Sequence, residues 1–182
     1  MKPGKLLIVC LLALSGFAHA EDTPEVLWPE LIPQGWDPYT LFDQYSADEY
    51  AALSDDDYFA LQDKAQMMVD KAPVVDSLDG QQVKIPGFVL PLEFKGSTIS
   101  EFLLVPYFGA CIHSPPPPAN QIILGKLEKS IELENISRPV WITGKLKTGR
   151  SSNKLGEGGY NFITDVDSGY SMQVDSVEPY EE

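Results

Sequence analysis

Cysteine and histidine are nearly missing from this chain, which has two of each in 182 residues. Half of that supply, Cys10 and His19, lies in residues 1–20. There Lys2 and Lys5 precede an apolar run at 6–14 and a small-residue exit, Ala18-His19-Ala20. This is the pattern of a cleaved secretory signal, and its apolar run is too short to span a bilayer. Val9 before Cys10 is not the small residue that a lipid-anchoring cysteine needs, so a lipid anchor is not expected. Cleavage near Glu21, with a periplasmic destination, leaves Cys111 as the sole cysteine and His113 as the sole histidine. An intrachain disulfide is then excluded, as is a zinc site closed by Cys and His alone. Cys-x-x-Cys pairs, G-x-S-x-G elbows and glycine-rich phosphate cradles are absent too, and the expectation is a protein that is not an enzyme.

Positive charge is also scarce. Thirteen Lys and Arg face 27 Asp and Glu, a formal charge of −14 that becomes −16 once Lys2 and Lys5 leave with the leader. That sign opposes nucleic acid and anionic membranes as partners and favours cations and basic proteins. Acidic charge spread along a whole chain also serves solubility alone.

What is present concentrates in residues 109–120, Gly-Ala-Cys-Ile-His-Ser-Pro-Pro-Pro-Pro-Ala-Asn. Pro115, Pro116, Pro117 and Pro118 fix φ near −65° and remove four N–H donors, so this run is neither helix nor central strand and follows a polyproline II course. If the preceding residues are extended, Cys111 and His113 stand two apart on one face. Three chemistries fit the pair. Thiolate and imidazole are ligands for zinc or copper, with the shell completed by carboxylates such as Glu93, Glu157, Asp165 or Asp167, by water or by a partner. A nucleophilic Cys111 activated by His113 is disfavoured by the awkward approach of two residues on one short segment. In the third reading the proline run and Asn120 form a rigid docking loop, with Cys111 and His113 as packing residues.

Around this stretch the 182 residues read as one domain with an extension. Residues 21–45, with four prolines and two tryptophans, form an irregular arm whose Trp28 or Trp36 docks on the body. Residues 46–72 are helical: Ser46 and Glu49 form a capping box, Ser54 offers a second start, and Tyr58, Leu61, Ala65 and Met68 make one stripe. The acids Asp55, Asp56 and Asp57 suit a first helical turn and lack the alternation of a calcium loop. From residue 73 to 182 short β-type runs take over, at 83–92, 99–107, 121–124, 139–147, 160–165 and 170–177. Such runs indicate a small antiparallel barrel or sandwich. Phe88, Leu90, Leu103, Val105, Ile123 and Ile142 are the expected core. Asp79-Gly80 and Ser168-Gly169 read as turns, 149–159 as a polar glycine-rich loop, and Pro86, Pro91 and Pro106 as marks of edges or bulges.

The stretches Ile-Pro-Gly-Phe-Val-Leu-Pro-Leu-Glu at 85–93 and Glu-Phe-Leu-Leu-Val-Pro-Tyr-Phe-Gly-Ala-Cys-Ile-His-Ser-Pro-Pro-Pro-Pro-Ala-Asn-Gln at 101–121 closely resemble the bacterial exported family called domain of unknown function 3299. The resemblance covers roughly residues 74–179. It implies a mainly β fold, an OB-like five-stranded antiparallel barrel carrying the N-terminal helical extension. It also leans toward metal handling, because members of the family occur beside ABC-type transport components and zinc-responsive systems; no enzyme activity comes with it. The motif residues that carry over are Cys111, His113, the proline run and Asn120. The expectation is therefore a zinc-binding or transport-accessory protein whose partners are a metal ion and an ABC-type transporter or other envelope protein. The alternative is a metal-free interaction module that docks an envelope partner through the proline loop.

Overall fold

The computed structural model describes residues 23–92, 98–112, 116–132, 135–156 and 164–180. The expected leader at 1–20 lies outside these residues, as do Glu93, His113, Pro115 and Glu157. Five strands, β1 (Gln82–Pro91), β2 (Thr98–Val105), β3 (Ile123–Glu132), β4 (Val140–Leu155) and β5 (Thr164–Pro179), close into a barrel in the order β1-β2-β3-β5-β4. The expected barrel is there, and one pairing differs from the expectation. β3 and β5 run parallel, whereas the other four contacts are antiparallel. A ring of neighbours that all alternate in direction needs an even number of strands, so five can close only with an odd number of parallel pairs, and here it is one.

β1 is shared between two neighbours. Residues 82–87 pair with β4, and 88–91 with β2. The arm fills the gap beside the first half: Val26 N–H donates to Lys84 O at 2.9 Å and Lys84 N–H to Pro24 O at 2.8 Å. Lys84 thus turns its backbone groups away from β4, and Pro86, two residues on, turns the same way. Its missing N–H costs the β1–β4 ladder nothing, and its carbonyl accepts from Trp28 Nε1 at 2.7 Å. Trp28 is the tryptophan that docks. It opens a 3-10 turn (Trp28–Leu31) whose Leu31 is fully buried. Tyr170 of β5, equally buried, clamps the arm by donating its hydroxyl to Leu31 O at 2.9 Å while accepting Val75 N–H at 2.7 Å.

The helical extension is two helices, α1 (Ala47–Ala51) and α2 (Asp55–Asp70). Ser46 and Glu49 form the capping box of the first, and Ser54 caps the second by accepting Asp57 N–H at 3.2 Å. Of the expected stripe only Leu61 and Ala65 are buried.

Two apolar clusters occupy opposite faces of the sheet. Val83, Ile85, Val89, Phe102, Leu104, Ile123, Ile142, Leu146, Tyr170 and Met172 fill the barrel. Leu90, Leu92, Leu103, Val105, Leu124, Leu155 and Val166 form a second cluster with Ala110, Cys111 and Ile122. Of the expected core, Ile123 and Ile142 are inside the barrel. Leu90, Leu103 and Val105 are buried on the outer face instead, and Phe88 is half-buried there. Period-two alternation separates the faces but cannot name the inner one where both are apolar.

The polar stretch after Gly149 is strand rather than loop as far as Leu155. It pairs with β5 from Ser151↔Ser168 to Leu155↔Thr164. Ser168-Gly169 is likewise inside β5 and not a turn. Ser168 is fully buried, its hydroxyl 2.8 Å from Ser151 Oγ and accepting from Asn153 Nδ2 at 3.1 Å. Asp79-Gly80 is the turn expected, with Gly80 at φ +75°.

Candidate functional site

The loop after β2 begins with a tight reversal. Gly109 has φ +83° and Cys111 φ +66°, and Ile112 N–H donates to Gly109 O at 3.2 Å. Among the described residues Cys111 is the one non-glycine with positive φ, a conformation that costs an L-residue roughly 1 kcal/mol. The expected extended course through Cys111 is therefore absent. A left-handed residue turns the chain so that Ala110 and Cys111 sink into the outer cluster, while Tyr107 and Phe108 remain exposed. The Phe108 ring meets that of Phe88 at 6.0 Å between centroids.

Cys111 is a free thiol, 6% exposed, among leucine, valine and isoleucine side chains. Burial pushes its pKa up to about 11. That environment protects the thiol form and opposes the thiolate on which both nucleophilic attack and metal ligation depend. Asp165 and Asp167, the described carboxylates among the expected co-ligands, are exposed on β5. No cluster of three His, Cys, Asp or Glu side chains able to hold a metal occurs among the described residues. Of the expected pair, Cys111 is thus held as the buried thiol, and His113 lies outside the described residues.

Past the reversal, Pro116 is exposed, and Pro117 and Pro118 are half-buried. Pro118, at φ −52° and ψ 148°, holds the expected polyproline II geometry and leads into a 3-10 turn (Ala119–Gln121). Asn120 anchors that turn. It is fully buried, and its Nδ2 donates to Pro73 O at 2.9 Å, while its Oδ1 has no partner among the described residues. Gln121 fixes the turn to the arm by donating Nε2 to Trp28 O at 2.9 Å. Asn120 thus acts as the structural post of the loop, inside the body of the protein rather than on its surface.

The prolines form one wall of an 840 Å³ cleft. Tyr39 of the arm, Asp70 of α2, Tyr107 after β2, and Arg150 and Asp167 on the β4–β5 hairpin supply the others. Arg150 Nε lies 3.1 Å from Asp167 Oδ2, an exposed ion pair of small energetic weight that holds the hairpin's outer face. Tyr39 and Tyr107, 61% and 45% exposed, have aromatic surface free for contact. Sequence reasoning passed over Tyr39, Tyr107 and Arg150. The one local signal for them was the aromatic pair Tyr107-Phe108 set between Pro106 and Gly109.

The family model of DUF3299, a protein family of unknown function, matches residues 28–179. The chain belongs to this family. A crystal structure of a DUF3299 family protein from Pseudomonas aeruginosa PAO1 is similar at 34% identity with a TM-score of 0.60, the match covering 88% of this chain and 98% of that one. No curated protein matches the chain. The DUF3299 match takes in the Trp28 arm and α2 as well as the barrel, so the arm, the helix and the proline cleft they help to wall all belong to the family's unit.

Proposed function

We propose that this DUF3299 protein is a non-enzymatic docking module, exported to the periplasm, which holds an envelope partner in the cleft beside Pro116, Pro117 and Pro118. The observation that carries this reading is the pairing of a rigid proline wall with exposed Tyr39 and Tyr107 across one 840 Å³ cleft. A polyproline segment loses little conformational entropy on binding, and tyrosines add large contact area with few rotors to freeze. The burial of Cys111 and its raised pKa speak for this reading over the zinc-binding one. The partner is an envelope protein, an ABC-type transport component being the class to which the family resemblance points.

The experiment is photo-crosslinking in intact cells from a probe placed at Tyr107, with the exposed Lys145 on β4 as the control position, since it lies outside the cleft lining. A discrete adduct with an envelope protein, formed from Tyr107, absent from Lys145 and lost in a Pro116→Gly, Pro117→Gly double variant, is the expected result. Equal adducts from both positions would overturn the reading. So would stoichiometric zinc in chelator-free protein that disappears with Cys111→Ser.

A further inference from the structure

A second recognition site follows from the way β3 and β5 part company. Their parallel pairing runs from Ile123↔Tyr170 to Leu127↔Val174 and stops, although β3 continues to Glu132 and β5 to Pro179. Between the diverging ends lies an 840 Å³ groove that shares no lining residue with the proline cleft. Leu127, Ile131 and Val177, half-buried against the barrel core, line its apolar side.

The backbone of β5 is available along this groove. Residues 176–179 pair with 140–143 of β4 on one side, and among the described residues no strand pairs with them on the other. Tyr180 N–H donates to Pro139 O at 3.3 Å, so the even-numbered residues of this stretch turn their backbone groups toward β4. Val177, paired with Ile142 but of odd number, turns its N–H and C=O the opposite way, into the groove. Pro179 adds a carbonyl on the same side and has no N–H to offer.

We infer that this groove takes an extended segment of a partner protein as an added strand along the β5 edge, and that the segment alternates aliphatic with basic residues. Only an extended chain meets strand-edge donors and acceptors in register, and its period of two sends alternate side chains onto Leu127, Ile131 and Val177. Charge selects the basic partner. Among the described lining residues the acids Glu132, Asp175 and Glu178 outnumber the one base, Arg138, and the chain carries a formal charge of −14. The same charge rejects a second copy of this chain, because pairing β5 edge to edge would bring both sets of acids together.

The test uses the full purified chain and two capped peptides of identical composition, one alternating lysine with valine, the other with all lysines followed by all valines. Calorimetric titration should give the alternating peptide about 10-fold tighter binding, and that peptide should slow hydrogen exchange at the Val177 amide. Val177→Pro, which deletes the groove-facing donor and spares the β4 ladder, should abolish the preference. Should that variant fail to fold, Glu178→Lys, on an exposed side chain, should weaken the alternating peptide about 3-fold at low salt. Equal binding of the two peptides, or exchange protection at the proline cleft in place of Val177, overturns the inference.

Discussion

On β1 and β2 neighbouring residues point into two different cores: Val89 and Leu104 into the barrel, Leu90 and Leu103 into the outer cluster. The barrel core is ringed by the five strands, which part where β3 and β5 diverge, and Tyr170 ties it to the arm. The outer cluster has a sheet on one side only. Its cover is assembled from the Cys111 reversal and the far ends of β4 and β5, where Leu155 and Val166 sit. Where the backbone cover is a loop, the loop's most reactive side chain becomes part of the packing. Cys111 is there as a small buried hydrophobe, in keeping with the usual preference of free cysteine for the interior. At the other end of the motif, Pro116, Pro117 and Pro118 lead into Asn120, which is fixed in the body.

The sharpest way to break this comparison is to empty each core from adjacent positions. Phe102 faces Gly125 across β2 and β3, and a Cβ added at Gly125 would lie 2.5 Å from its ring, so the interior there has no slack. Phe102→Ala should cost about 4 kcal/mol of stability in urea unfolding. Leu103→Ala, on the opposite face and equally buried, should cost about 3 kcal/mol. A loss below about 1 kcal/mol at Leu103 would mean that the outer cluster is loose and that the proline wall has no firm foundation.

Next in size are the polar anchors. Tyr170→Phe leaves Leu31 O and Val75 N–H without their partner, a loss of about 2 kcal/mol, and it should release the arm to limited proteolysis near Trp28. Asn120→Ala removes the donor to Pro73 O and, with it, an orphaned Oδ1, so the penalty should be smaller, about 1 kcal/mol. Both variants should keep the far-ultraviolet circular dichroism of the barrel. If Asn120→Ala leaves stability unchanged and abolishes partner crosslinking, Asn120 is a contact residue and not a post.

The caps at Ser46 and Ser54, the docking of Trp28 and most of β1 and β2 could be read from the sequence, because each depends on local chemistry or on a continuous apolar run. β3 was read only as far as Leu124. Its second half, Lys126 to Glu132, is largely exposed, and Lys129 interrupts the period of two between the half-buried Leu127 and Ile131. β4 past Gly149 reads as loop for a related reason: Asn153 and Ser168 are buried and Ser151 half-buried, all three hydrogen-bonded to one another, and buried polar strands carry no apolar period. The motif at 109–120 identified the loop that matters. The left-handed turn at Cys111 gives no such signal, since only tertiary burial justifies φ +66° in a cysteine. Tyr39 and Arg150 join the cleft through contacts distant in sequence, which no local reading supplies.

The smallest effect probes the outer core without removing an atom. Cys111 has a thiol pKa raised by burial to about 11 from an ordinary 9.0. In the unfolded chain the thiol ionises near the ordinary value, whereas in the folded chain it stays protonated. The stabilisation is therefore fully present below pH 9.0 and is lost as pH rises through the folded value of about 11. Linkage puts the loss at only about 0.4 kcal/mol by pH 9, so the experiment compares wild type with Cys111→Ala across the window rather than at one pH. The wild type should lose stability faster than the variant between pH 8 and pH 9, and its thiol should react with iodoacetamide at pH 8 about 100-fold more slowly than a free thiol. Parallel stability curves together with fast alkylation would place the Cys111 sulfur in a polar, accessible setting. The outer cluster would then be a site with a reactive centre and not a second core.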